Sequence, residues 1–284
     1  MKLIRFGEPG AEKPGFEQED GTRRDVSGEI SDYTPRFFAD GGLDKLRELA
    51  AHPDDCPQVP AGTRLGPPVA RPHKFLAIGL NYKQHAKEVG SEIPSEPVVF
   101  TKATSCICGP DDPTLLPRGS EKLDYEVELA FVIKDTVRNL ASEADALAHI
   151  AGFTICNDVS ERHHQLEQGG QWVKGKSADS FGPLGPFLIT PDDLPDFANL
   201  EVSTKVNGAF RQKSNTNDMI FSVPHCLWYL SQYLTLEPGD VVTTGTPEGV
   251  AVGMNDPAAF LKSGDKVEVS IAKLGTQTQL IRRD

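Results

Sequence analysis

No run of about 18 apolar residues occurs in this chain, and its opening "MKLIRFGEPG" breaks at once into glycine and proline. Both absences argue against a membrane span or a signal peptide. No basic stretch stands out either. With a formal net charge of −12, the composition argues against a sequence-independent nucleic-acid binder, although a local site can oppose the global sign. The five cysteines (Cys56, Cys106, Cys108, Cys156, Cys226) are odd in number and include no CxxC pair. That pattern speaks against a zinc knuckle, so reduced, mostly buried thiols and a cytoplasmic setting are expected. A GxSxG elbow is missing, and "HHQ" at His163–His164 lacks HExxH spacing, so those histidines read as surface or loop residues. The run that precedes the Gly-rich turn around Lys176 does not fit a phosphate loop, so phosphate binding is not expected there.

What is present is a composition of 38% hydrophobic and 25% charged residues over 284 positions, that of a soluble globular protein able to bury a large core. "MKLIRF" reads as a short strand, the residues around Asp20-Gly21 as a hairpin, and "GGLDKLRELAAHP" as a short helix. A proline-rich arm follows. These features predict a small N-terminal domain over residues 1–70 and a second, larger domain over 71–284. From residue 74 onward strand signals dominate, among them "KFLAIGL", "PVVFTKA", "LDYEVELAFVI", "AGFTICNDV", "GPFLIT" and "DKVEVSIAKLG". Helical patterns are few: "NYKQHAKEV", "ASEADALAHI" and "VPHCLWYLSQYL". The expected fold class is mostly β with helices inserted at connections (α+β), without regular βαβ alternation.

Four stretches could carry chemistry. Read as one strand, "LDYEVELAFVI" puts Leu123, Tyr125, Val127, Leu129, Phe131 and Ile133 on one face and Asp124, Glu126 and Glu128 on the other. With Asp158 of "FTICNDVSER", Glu126 and Glu128 would form an all-oxygen site for a hard divalent cation. A solvated strand face explains the same pattern, and spacing alone leaves Asp124 equally eligible. In "GLNYKQHAKEVG", His85 and Glu88 stand three apart on a helix, the spacing of a carboxylate-oriented base or of an ordinary exposed pair. In "GGQWVKGKSADSFGPLGP", Lys176 could stabilise an oxyanion or enolate. In "GDVVTTGTPEGV", Thr246 offers a hydroxyl, though Thr-Pro is also plain turn chemistry. Trp172 and the "WYLSQY" run read as core or interface aromatics.

Taken in order, "GLNYKQHAKE", "DYEVELAFVI", "GFTICNDVSER", "QWVKGKSADSFGPLGP" and "GDVVTTGTPEGV" resemble the successive motifs of the fumarylacetoacetate hydrolase superfamily, over roughly residues 74–275. The resemblance implies a mixed β-roll, a divalent metal (Mg²⁺, or Mn²⁺) and a homodimer. It implies metal ligands Glu126, Glu128 and Asp158, a base dyad of His85 with Glu88, and Lys176 as the cation beside the metal. Thr246 would hold the substrate carboxylate, with Tyr82, Lys102 and Asp179 lining the site. After the third ligand many members read Asn-Asp-Val-Ser-Ala-Arg-Asp, whereas "NDVSERHHQLEQGGQW" is similar to the clade acting on 2,4-diketo-3-deoxy sugar acids. Cleavage of such an acid to pyruvate and lactate is the activity implied. Acylpyruvate hydrolysis, oxaloacetate decarboxylation and isomerisation or hydration are the related outcomes. A non-catalytic β-rich binding protein is the distant one.

Overall fold

The computed structural model describes residues 1–283. Its centre is the strand Val127–Ile133, paired antiparallel with Ile150–Asn157 on one side and with Val241–Thr243 on the other. Val241–Thr243 runs parallel to Phe75–Gly79, which pairs antiparallel with the edge strand Val98–Lys102. In the opposite direction Ile150–Asn157 is followed by Gly182–Ile189, and that strand by Lys2–Phe6. The hairpin Lys13–Glu17 and Arg23–Asp25 completes this edge of an eleven-stranded mixed sheet. A second sheet of five strands runs Ala209–Asn215, Glu201–Val206, Lys266–Ile271, Gly275–Arg283, Thr114–Leu116.

Burial follows from how each sheet is covered. Glu201–Val206 and Lys266–Ile271 alternate buried and open positions, the signature of an antiparallel sheet with one wet face. Their inward Val202, Val267 and Val269 join a core shared with Val127, Phe131, Phe153 and Ile155 of the larger sheet. Val127–Ile133 and Ile150–Asn157 are buried at every position, because both faces of that sheet are covered. Any carboxylate placed on these strands is therefore desolvated. Among the described residues the protein is mostly strand with few helices, and it forms no closed barrel.

The first seventy residues add Leu3, Ile4, Phe16, Tyr33 and Leu46 to the same continuous core, and their strands to the larger sheet. The run 123–133 is not one strand. Leu123–Asp124 pairs with Ser160–Glu161 in a separate ladder, and Val127–Ile133 begins after a break. The break has a local cause: the Asn157 side-chain oxygen accepts from the Glu126 amide at 3.0 Å, replacing a ladder bond. The Asp158 amide in turn donates to the Glu126 carbonyl at 2.9 Å. "ASEADALAHI" forms a 3-10 turn over Glu143–His149 rather than an α-helix, and Lys176 lies on a short helix, Val173–Lys176. Among the described residues no helix is long and apolar enough to cross a membrane. The cysteines are all unpaired.

Candidate metal centre and catalytic cavity

Glu126, Glu128 and Asp158 converge at the ends of the two central strands, where each offers an oxygen within 4.8 Å of the others. All three are buried, in keeping with the covered strands that deliver them. Such a trio is costly unless positive charge accompanies it. Lys176 Nζ donates to Glu126 Oε2 and to Asp158 Oδ2, each at 2.7 Å. Lys102 binds the other oxygen of Asp158 and the Lys176 carbonyl, so it backs the site from behind. Arg162 donates from Nη2 to Glu126 Oε1, from Nε to Asp124 at 2.8 Å, and from Nη1 to Gln165 Oε1 at 2.9 Å.

Asp124 is thereby separated from the trio. Its oxygens accept from Arg162 and from the amides of Ala251 at 2.8 Å and Val252 at 3.1 Å, which pins the turn that follows Val250. In this buried cluster three cations (Lys102, Arg162, Lys176) face four carboxylates, and the one without a cation is Glu128. Its hydrogen bond comes from the Gly245 amide at 2.9 Å. Gly245 has φ +92°, and a Cβ there would lie 2.9 Å from the Asn81 Cβ, so no other residue presents that amide without strain. The electrostatics divide accordingly. Burial by itself would raise Glu126, but Arg162 and Lys176 hold it down to about 2. Glu128 is pushed well above the usual carboxylate range by burial, with the charges of Asp158 and Glu126 adding to the effect. A buried all-oxygen trio with one uncompensated carboxylate fits a hard divalent cation.

The second group sits on the helix Lys83–Glu88. Leu80, at φ +52°, lies in the sharp turn between the strand Phe75–Gly79 and this helix. The Asn81 side chain fixes that turn through bonds to Phe221 and to the Thr244 carbonyl. His85 Nδ1 lies 3.2 Å from Glu88 Oε2, and Glu88 Oε1 accepts from the Gly249 amide at 2.9 Å. An ionised carboxylate only accepts, so Nδ1 carries the hydrogen and Nε2 is the basic nitrogen.

Both groups open into one cavity of about 400 Å³, which His85, Glu88, Glu126, Glu128, Lys176 and Thr246 help to line. The structure thus brings together six of the ten residues singled out from the sequence. Asp158 and Lys102 stand directly behind them. Thr246 is at the wall, but its hydroxyl donates to the Val127 carbonyl at 3.0 Å and accepts from Gln212 at 2.8 Å, so its hydrogen is already committed. Tyr82 is buried outside the lining with an unpartnered hydroxyl, and Asp179 is exposed in a turn. Sequence reasoning missed Arg162, Gln165 and Phe100 as cavity residues and placed Trp172 in a core or interface. For Arg162, the only available signal was its place four residues after Asp158.

Residues 74–282 match the fumarylacetoacetate (FAA) hydrolase C-terminal family. A protein of Burkholderia multivorans, provisionally named a hydrolase, is 48% identical over 282 residues, covering 99% of each chain. Among solved structures, a fumarylacetoacetate hydrolase from Exiguobacterium antarcticum is 36% identical with TM-score 0.86, covering 100% of both chains. A 2-hydroxyhepta-2,4-diene-1,7-dioate isomerase from Mycobacterium marinum is 31% identical with TM-score 0.75, covering 100% of this chain and 99% of its own. A maleylpyruvate hydrolase from Sphingobium sp. SYK-6, solved with manganese(II) and pyruvate, is 27% identical with TM-score 0.82, at 100% and 99% coverage.

Proposed function

The chain belongs to the fumarylacetoacetate hydrolase family, and from that premise we propose that it hydrolyses a carbon–carbon bond of a 2,4-dioxo acid and releases pyruvate. One observation carries this reading: a single cavity is lined both by the His85–Glu88 pair and by the carboxylates and lysine of a metal-type centre. Glu126, Glu128 and Asp158 would hold the cation, Mg²⁺ or Mn²⁺. When bound, it supplies Lewis-acid polarisation of the 2-keto group and charge compensation for a developing enolate.

The chain's own residues do the rest. His85 Nε2, with Nδ1 held by Glu88, takes a proton from water as the water oxygen bonds to the 4-keto carbon. The C3–C4 bond then breaks, its electron pair leaves as pyruvate enolate, and C4 departs as a carboxylic acid. The ammonium of Lys176 stabilises the negative charge, and a protonated His85 can return the proton to C3. Charge balance supports an anionic substrate. With all four carboxylates ionised, the buried side chains carry one excess negative charge; a divalent cation would reverse that sign, and one substrate carboxylate would restore neutrality.

A six-carbon 2,4-diketo-3-deoxy sugar acid, which would give pyruvate and lactate, is the substrate we assign from the motif wording. The apolar part of the cavity wall favours acylpyruvates as the second reading. The assembly we assign is a homodimer. The test is pyruvate release from a panel of 2,4-diketo-3-deoxy acids, acylpyruvates and oxaloacetate, with and without Mg²⁺ or Mn²⁺. We expect metal-dependent release from at least one dioxo acid and a loss of about 10²-fold or more in kcat for His85→Ala. Isomerisation of a dienedioate without any pyruvate would overturn the hydrolase reading.

A further inference from the structure

Besides its charged groups the cavity wall carries aromatic and aliphatic side chains, and Trp172 is the largest of them. Its indole is seated against backbone. A Cβ on Gly79 would come to 2.8 Å from Trp172 Cζ3, so the ring rests directly on the end of the strand Phe75–Gly79. On its other side it meets Phe100 edge-on, with centroids 5.1 Å apart and planes at 65°. Phe100 in turn lies under the Lys176 ammonium, 5.2 Å from the ring centroid. A contiguous path of contacts therefore leads from the lysine at the metal centre, across Phe100, to Trp172. The chain reinforces it, since Trp172 immediately precedes the helix Val173–Lys176 and its carbonyl accepts from the Gly175 amide at 2.9 Å.

We infer that Trp172 is a specificity-determining residue: it sets the length of the group carried on the 4-keto carbon and selects one whose far end is apolar. A substrate whose carboxylate and 2-keto group face Glu126, Glu128 and Lys176 must point its other end along this path. There it meets Phe100, Trp172 and Leu80, which offer hydrophobic surface and no charge. The ring is held by a glycine seat and an aromatic neighbour, so it acts as a fixed stop. The inference rests on the dioxo-acid reading for the orientation of the substrate.

The test is a homologous series of acylpyruvates, from acetylpyruvate to octanoylpyruvate, given to wild type, Trp172→Ala and Gly79→Ala with Mn²⁺ present. Wild type should decline beyond a short acyl chain. In Trp172→Ala the ratio of kcat/KM for the longest member to that for the shortest should rise about ten-fold or more, the scale of two newly buried methylenes. Gly79→Ala, which pushes the ring from its seat without removing it, should change that ratio by at least about three-fold. A uniform loss across the series would overturn the inference and leave Trp172 a structural support for Lys176. If wild type releases pyruvate from none of them, the hydrolytic reading fails separately. The same series, titrated by calorimetry against the Mn²⁺-loaded proteins, then decides: chain-length dependence of Kd that differs between wild type and Trp172→Ala sustains the stop, and identical dependence overturns it.

Discussion

Glu128 is the residue on which the site's charge balance turns. Its neighbours Glu126 and Asp158 have Lys176 and further cations, whereas Glu128 has an amide hydrogen bond and a raised proton affinity. Replacing it by glutamine keeps the shape and removes the uncompensated charge. Metal-free Glu128→Gln should therefore melt at or above the wild-type temperature, not below it. Mn²⁺ should raise the wild-type melting temperature, by an amount equivalent to about 2.7 kcal/mol at a hundred times its Kd, and should do little for the variant. Paired thermal melts with and without Mn²⁺ check both signs. A variant that is less stable when metal-free but equally responsive to Mn²⁺ would place the ligand elsewhere.

At the scale of elements, strand pairing depends on polar fastenings at strand ends. Asp240 is fully buried before Val241–Thr243, where it accepts from the amides of Lys74 and Glu237, each at 2.8 Å, and binds Lys74 Nζ at 2.9 Å. This fastening sets the register of the parallel pair with Phe75–Gly79, the strand that leads into the His85 helix. Burial would lower the Lys74 ammonium, but its bonds to Glu237 and Asp240 hold it above its ordinary value. A raised folded value means that the contribution is complete at neutral pH and fades as pH rises through that value. Asp240→Ala leaves the lysine and two amides without their partner and should cost about 3 kcal/mol. Urea denaturation measures this loss, and a change below about 1 kcal/mol would show that the fastening is dispensable.

For the whole molecule, the decisive feature is that Lys2–Phe6 lies beside Gly182–Ile189 in the larger sheet. Removing residues 1–70 uncovers that strand's edge and the part of the core to which Leu3, Ile4, Phe16 and Tyr33 contribute. The shortened chain should lose cooperative thermal unfolding and associate, read by circular dichroism and size-exclusion chromatography. Cooperative unfolding at the full-length temperature would instead show two independent domains.

The sequence by itself determined the fold class, most strands of residues 74–271, and the identity of Glu126, Glu128, His85 and Glu88 as chemically capable groups. Alternation and i,i+3 spacing are short-range properties, and they survive any arrangement of the rest of the chain. The ordered motifs then selected Asp158 as the third carboxylate. Only the tertiary structure decided that Asp124 pairs with Arg162 and holds the amides of Ala251 and Val252, and that Thr246 has its hydroxyl hydrogen spent. It alone put Trp172 at the cavity and Tyr82 and Asp179 outside it. The reason is physical: a polar side chain's role depends on which partner satisfies it. Those partners lie 38 residues from Asp124 at Arg162, 119 from Thr246 at Val127 and 127 from Asp124 at Ala251, distances that no local pattern spans.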